Sequence, residues 1–149
     1  MSERVKIVFD LEKSELPYET ESVWAERLSD NRFRILNSPF FAFGVSFEDE
    51  IEAEPVGERF RFVKVLRRSG RSTYRVILQN GLTISHAEFA ERWKAFRDAG
   101  CTYENANDKY ISIDMPRAVD VAAMYSLLED GEDDGVWVFE EGHYAGVQN

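Results

Sequence analysis

The chain has 149 residues, 44% hydrophobic, 13% aromatic and 31% charged, with a formal net charge of −10. That length suits about one domain, and so apolar and aromatic a composition excludes a disordered chain. No apolar run nears the ~20 residues needed to span a bilayer, Met1 to Asp10 lacks a signal peptide's apolar stretch, and a lone Cys101 excludes a disulfide framework or a cysteine-based zinc cluster.

In chain order, Val5, Ile7, Phe9 and Leu11 alternate with Arg4, Lys6, Val8 and Asp10, the period of a half-buried strand. Glu12 to Glu21, around Pro17, is expected to be a loop. Ser22 to Leu28 and Arg32 to Leu36 predict a hairpin turning at Ser29-Asp30-Asn31. The connection Asn37 to Gly44 contains Pro39-Phe40-Phe41-Ala42-Phe43, too aromatic for an ordinary solvated loop. It is expected to plug one end of a barrel, with a ligand mouth as the rival reading. Glu48 to Glu54 alternates acids with Ile51 and Ala53, which places Glu50, Glu52 and Glu54 on one exposed strand face. Arg59 to Leu66 alternates arginines with Phe60 and Phe62, and its rhythm slips at Val63, which predicts a bulge. Five short strands with aromatics at one end predict a small twisted β-barrel over residues 1–66.

From residue 67 the rhythm changes. Ser72 to Gln79 predicts a strand closed by the turn Asn80-Gly81. Ser85 with Glu88 three residues on is a capping-box pattern. The helix it opens puts Phe89, Trp93 and Phe96 on one face, with Glu88–Arg92 and Lys94–Asp98 pairs outside, and Gly100 ends it. Cys101 to Asn105 and Lys109 to Asp114 predict a hairpin around Ala106-Asn107-Asp108. Pro116 is expected to open a second helix, faced by Val121, Met124, Tyr125 and Leu128, which Gly131 breaks. Val136 to Glu140 is the last strand. Strand–helix–strand–strand–helix–strand is the split βαβ, or ferredoxin-like, order, with both helices on one face of an antiparallel sheet. The fold class expected is therefore α+β: a barrel over 1–66 and a ferredoxin-like half over 67–149. The tight turn Arg67-Arg68-Ser69-Gly70-Arg71 leaves no linker, so the halves are expected to form one rigid unit.

Three stretches carry a resemblance: Asn37-Ser38-Pro39-Phe40-Phe41, Gly44-Val45-Ser46-Phe47-Glu48-Asp49, and Arg68-Ser69-Gly70-Arg71-Ser72-Thr73. Together they resemble the bacterial domain-of-unknown-function family numbered 4265, which is similar in length and has a Pro-Phe-Phe motif. The similarity extends over most of the chain, to Gly100-Cys101 and the acidic terminal segment. Arg71 stands where the family pattern suggests histidine, which weakens any histidine role there. The resemblance implies a fold and a bacterial origin, and no activity.

Charge is unevenly spread. Arg59 to Arg75 holds seven bases (Arg59, Arg61, Lys64, Arg67, Arg68, Arg71 and Arg75) and no acid, so the other 11 bases face all 28 acids. After Arg117 there is no Lys or Arg, while Glu129, Asp130, Glu132, Asp133, Asp134, Glu140 and Glu141 follow. Such a field repels nucleic acid and attracts a basic partner, although acidic surfaces also serve solubility alone.

Catalytic patterns are weak. Nucleophilic catalysis needs Ser, Cys or Thr beside a base, and the two histidines, His86 and His143, lie in a helix's first turn and near the C-terminal end. Cys101 is expected to start a strand as a small hydrophobe, which leaves a Cys101/His86 pair the weaker reading. Asp130-Gly131-Glu132-Asp133-Asp134-Gly135 misses the calcium-loop spacing and is expected to be a solvated connection, with no metal. No phosphate-binding glycine pattern is present, and no cofactor is expected. The leading expectation is a non-enzymatic, cytoplasmic, immunity-type inhibitor that binds a basic bacterial toxin. Its contacts would be Glu129, Asp130, Glu132, Asp133 and Asp134, with Glu50, Glu52 and Glu54 as a second patch; no membrane is involved and nucleic acid is disfavoured. The alternatives are a regulatory small-ligand module and a nucleic-acid accessory protein using Arg59 to Arg75.

Overall fold

A computed structural model describes residues 3–11 and 19–146; most of the loop expected at Glu12 to Glu21 lies outside the described residues. The architecture is α+β: two sheets and two helices. Strands β1 (Arg4–Asp10), β2 (Thr20–Ser29), β3 (Arg32–Ile35), β4 (Glu50–Val56) and β5 (Arg59–Arg67) form the first sheet. Each pairs antiparallel with the next, and β1 also pairs parallel with β5 through Ile7↔Phe60 and Val8↔Arg61, so the sheet closes on itself.

Alternation decides what this sheet buries. Ile7, Phe9, Val23, Ala25, Phe33, Ile35, Ile51 and Ala53 form its core, with Phe60, Phe62 and Val65 packed against it. Val8, expected on the solvent side, is buried as well, flanked in register by Ser22 and Arg61. The slip at Val63 is present: Ala53 faces Phe62 and Glu52 faces Lys64, which leaves Val63 as the extra residue. A second slip leaves out Leu66. Both extra residues are about two-fifths exposed, as a residue outside the ladder should be.

Strands β6 (Ser72–Leu78), β7 (Thr102–Asn105), β8 (Tyr110–Met115) and β9 (Trp137–His143) form the second sheet, in the order β7-β8-β6-β9 and antiparallel throughout. Helices α1 (Ala87–Ala99) and α2 (Val121–Asp133) pack on one face, where Phe89, Phe96, Met124 and Leu128 meet Tyr74, Val76 and Leu78. The opposite face carries Arg75, Ile77 and Ser112, the alternate residues of β6 and β8.

Four helix expectations need correction. The N-cap of α1 is His86, not Ser85: the His86 Nδ1 accepts the Glu88 N–H at 3.1 Å, and Ser85 hydrogen-bonds Thr83 instead. Pro116 does not open α2; it sits in a turn whose carbonyl accepts the Val119 N–H, and Asp120 caps the helix through Ala123. Gly131 does not break α2 but lies buried within it. A Cβ there would stand 2.3 Å from Trp137 Cε2, so glycine is what lets the indole lie against the helix and donate to the Leu128 carbonyl at 2.8 Å. The Glu88–Arg92 pair forms at 3.8 Å, whereas Lys94 turns back to Glu91 rather than on to Asp98. Gly100, at φ 106, ends α1 as expected.

Candidate functional site

The polar chemistry of the molecule gathers where the two sheets meet. The Asn37 to Gly44 segment lies along the helix-free face of the second sheet, held by its own backbone groups. Four of its backbone N–H groups are taken by carboxylates, and that of Gly44 by the Gly142 carbonyl at 2.9 Å. Glu21 accepts from Phe40, Phe41 and Ala42 at 2.7, 3.0 and 2.8 Å, and Glu104 accepts from Ser38 at 2.5 Å and from the Asn37 side chain at 2.9 Å. Three of its carbonyls are taken by the sheet: Ser112 donates to Pro39 at 2.9 Å, Arg75 to Ala42 at 2.7 Å, and the Tyr110 hydroxyl to Phe40. Phe40 and Phe41 set their rings edge-on against Tyr110, while Ala42 and Val45 join the core of the closed sheet. The aromatic run expected to plug a barrel therefore bridges the two sheets.

A second knot lies beside it. Buried Asp49 accepts the Ser46 N–H at 2.9 Å and the Ser69 N–H at 2.8 Å, and Arg68 stands 3.4 Å away. Ser46 and Thr73 share a hydroxyl hydrogen bond of 2.6 Å, and Ser69 donates to the Phe47 carbonyl at 2.9 Å. Two of the three stretches that carry the family resemblance thus meet in space, and Asn37 to Phe41 makes its own bonds to the second sheet, so that all three help to join the sheets.

Burial governs the titratable groups here. Arg71 donates to Asp114 at 2.5 Å, yet burial outweighs that cation and pushes the Asp114 carboxyl up to about 6. Burial pushes the Cys101 thiol up to about 12, so it stays protonated and unreactive at neutral pH. Burial, helped by Arg68, holds His143 below its ordinary value. Among the described residues neither histidine side chain hydrogen-bonds a Ser, Thr or Cys side chain. No group of three His, Cys, Asp or Glu among them is placed to hold a metal ion.

The acids selected from sequence divide into two kinds. Because α2 continues through Gly131, Glu129, Asp130, Glu132 and Asp133 are exposed on its last turns rather than in a loop, and the last turn of the helix carries no base of its own. Each stands near the negative end of the helix dipole, an arrangement that costs stability. Asp134 caps the helix and pairs with Arg92 at 2.6 Å. Glu50, Glu52 and Glu54 do share the outward face of β4, but Glu50 is largely covered and held by Arg32 at 2.8 Å and Arg34 at 3.9 Å. The basic window is likewise partly used internally: Arg61, Arg68, Arg71 and Arg75 pair with Asp10, Asp49, Asp114 and Glu140. Sequence reasoning missed Glu21 and Glu104 and the buried role of Arg75, whose partners include backbone groups far away in the chain.

No helix among the described residues is long and apolar enough to cross a membrane. A comparison with curated proteins finds no match. Among solved structures, the fold is similar to that of a hypothetical protein from Neisseria gonorrhoeae, with a TM-score of 0.76, 17% identity, and coverage of 99% of this chain and 98% of that one. At such identity the likeness shows the fold. The family model described as "Domain of unknown function (DUF4265)" matches residues 21–139, a span that holds all three of those stretches, and the chain belongs to that family.

Proposed function

We propose that the protein is a non-enzymatic, cytoplasmic binding protein of the immunity type, which neutralises a basic bacterial toxin by covering its anion-binding surface. The observation that carries this reading is the acidic end of α2. Glu129, Asp130, Glu132 and Asp133 are exposed and without ion-pair partners among the described residues, against the helix dipole. Charge placed at a cost to the fold is expected where another molecule compensates it. Carboxylates in a row imitate a phosphate backbone and speed encounter with a cationic surface. Glu52 and Glu54 form the second, smaller patch, and Asp134 and Glu50 serve mainly to hold the fold. The strand order β7-β8-β6-β9, with both helices on one face, supports reading this half as ferredoxin-like. The closure of β1 on β5 supports reading the other half as a small β-barrel.

The test is capture of partners from the native host by the tagged full chain, nuclease-treated, at low and moderate salt. Each captured basic protein is then assayed for an enzymatic activity that the pure chain suppresses at one-to-one stoichiometry. Suppression that weakens steeply when Glu129, Asp130, Glu132 and Asp133 are changed to Lys supports the reading. Failure to recover an inhibited protein, or suppression indifferent to those changes, overturns it.

A further inference from the structure

Arg75 is 1% exposed, at the centre of the helix-free sheet face. Its Nε donates to Glu140 at 2.8 Å, and its Nη1 to Ala42 O at 2.7 Å and Pro39 O at 3.4 Å. The Phe43 ring lies over the guanidinium at 4.6 Å. Nη2 is buried and has no hydrogen-bond partner in the protein. A buried cationic donor left unpaired costs more than an ordinary hydrogen bond contributes, so it calls for an acceptor. Arg75 lines a pocket of about 220 Å³ together with Phe41, Ile77, Tyr110, Val138 and Glu140.

Strand register gives the sheet face under this pocket two rows. Ser112, Arg75 and Glu140 lie side by side across β8, β6 and β9, and two residues on lie Tyr110, Ile77 and Val138. The first row is polar and the second apolar, with Ile77 44% and Val138 42% exposed. The rows are roughly 7 Å apart, two residues along a strand. At ~30 Å³ per water, the space equals roughly seven waters, enough for one branched chain or one aromatic ring.

We propose that this pocket binds a small monocarboxylate with a branched or single-ring hydrocarbon body. The carboxylate accepts from Arg75 Nη2, and the body covers Ile77 and Val138. With Nε and Nη1 already engaged, a carboxylate meets Nη2 through one charge-assisted hydrogen bond. A phosphate's second charge would be opposed by Glu140, whose side chain is half exposed beside Arg75. The site is independent of the acidic end of α2, because that helix packs on the other face of the sheet.

The test titrates the full chain with phenylacetate and with 3-methylbutanoate, following amide resonances along β6 and β9 by NMR, with phenylacetamide and sulfate as controls. Arg75 is too deeply placed to remove cleanly, so the variants are Val138→Glu, at an exposed rim position, and Glu140→Gln, which keeps the acceptor and removes the opposing charge. The expected result is saturable binding of at least one carboxylate, centred on Arg75, Ile77 and Val138. It should weaken about tenfold or more in a folded Val138→Glu variant, the equivalent of ~1.4 kcal/mol, tighten several-fold in Glu140→Gln, and be at least about tenfold weaker for phenylacetamide. No saturable binding of either carboxylate, equal binding of the amide, binding of sulfate alone, or indifference to Val138→Glu would each overturn the proposal.

Discussion

Gly131→Ala separates packing from helix propensity, because the two predict opposite signs. In a solvent-facing helix interior, alanine is favoured over glycine by about 1 kcal/mol. Here the added Cβ would meet Trp137 Cε2, Cζ2 and Nε1 at 2.3, 2.5 and 2.6 Å. The indole is 2% exposed, packed against Phe96 and tied to the Leu128 carbonyl at 2.8 Å, so it has little room to retreat. Overpacking of this kind costs about 1–3 kcal/mol, and a strained or lost buried hydrogen bond adds about 1 kcal/mol. Set against the propensity gain, the variant should be destabilised by about 2 kcal/mol, a Tm lower by roughly 4–8 °C for a chain of this size. Urea unfolding followed by tryptophan emission measures this, and the same substitution in a Trp137→Leu background supplies the control. There the clash is gone, and alanine should be neutral or stabilising. A Gly131→Ala protein more stable than its parent would refute the packing argument.

Three further outcomes follow from the sheet junction and the caps. Glu21→Gln exchanges charge-assisted acceptance of the Phe40, Phe41 and Ala42 N–H groups for weaker neutral bonds. It should cost about 1.5–3 kcal/mol and speed hydrogen exchange at those amides, with unchanged exchange counting against the role assigned to Glu21. Asp114, raised from 3.8 to about 6 by burial, binds its proton more tightly folded than unfolded. Its contribution to stability therefore falls as pH rises from about 4 to about 6, by at most roughly 3 kcal/mol. Subtracting the urea-melt profile of Asp114→Asn from that of the parent should isolate this slope, and a difference that is flat or rises with pH would contradict it. Asp120→Ala removes the cap of α2 and should cost about 1 kcal/mol, whereas Ser85→Ala, outside the α1 cap, should cost little. Comparable losses at the two sites in thermal melts would mean that the caps are misassigned.

Much of the fold was legible because it rests on local periodicity. The alternation of Ile51 and Ala53 with Glu50, Glu52 and Glu54, the slip at Val63, and the Phe89/Phe96 face of α1 are near-neighbour patterns, and each has the expected counterpart. The failures arose where a distant partner overrode a local rule. Gly131 has the composition of a helix breaker, and only Trp137, six residues on, makes it a close-packing site. Pro116 is a common first helical residue, yet here the chain first completes a turn before Asp120 caps α2. Nothing local marks the roles of Glu21, Glu104 and Arg75, because their partners in the Asn37 to Ala42 segment are brought to them only by the tertiary fold. Segments that carry a family resemblance are often taken to mark an active centre. Here Asn37-Ser38, Ser46, Asp49, Ser69 and Thr73 supply the hydrogen bonds of the junction between the sheets.

The acidic end of α2 carries the proposed binding, and reversing its charge tests that role directly. Reversing Glu129, Asp130, Glu132 and Asp133 to Lys replaces four charges that oppose the helix dipole with four that suit it, at about 0.3–1 kcal/mol for each favourable charge. The decisive measurement is calorimetric titration of the inhibited partner with this variant and with the parent, alongside their melting temperatures. The variant should melt several degrees higher and bind at least about a hundredfold more weakly. A variant that melts higher and binds as tightly as the parent would contradict that role.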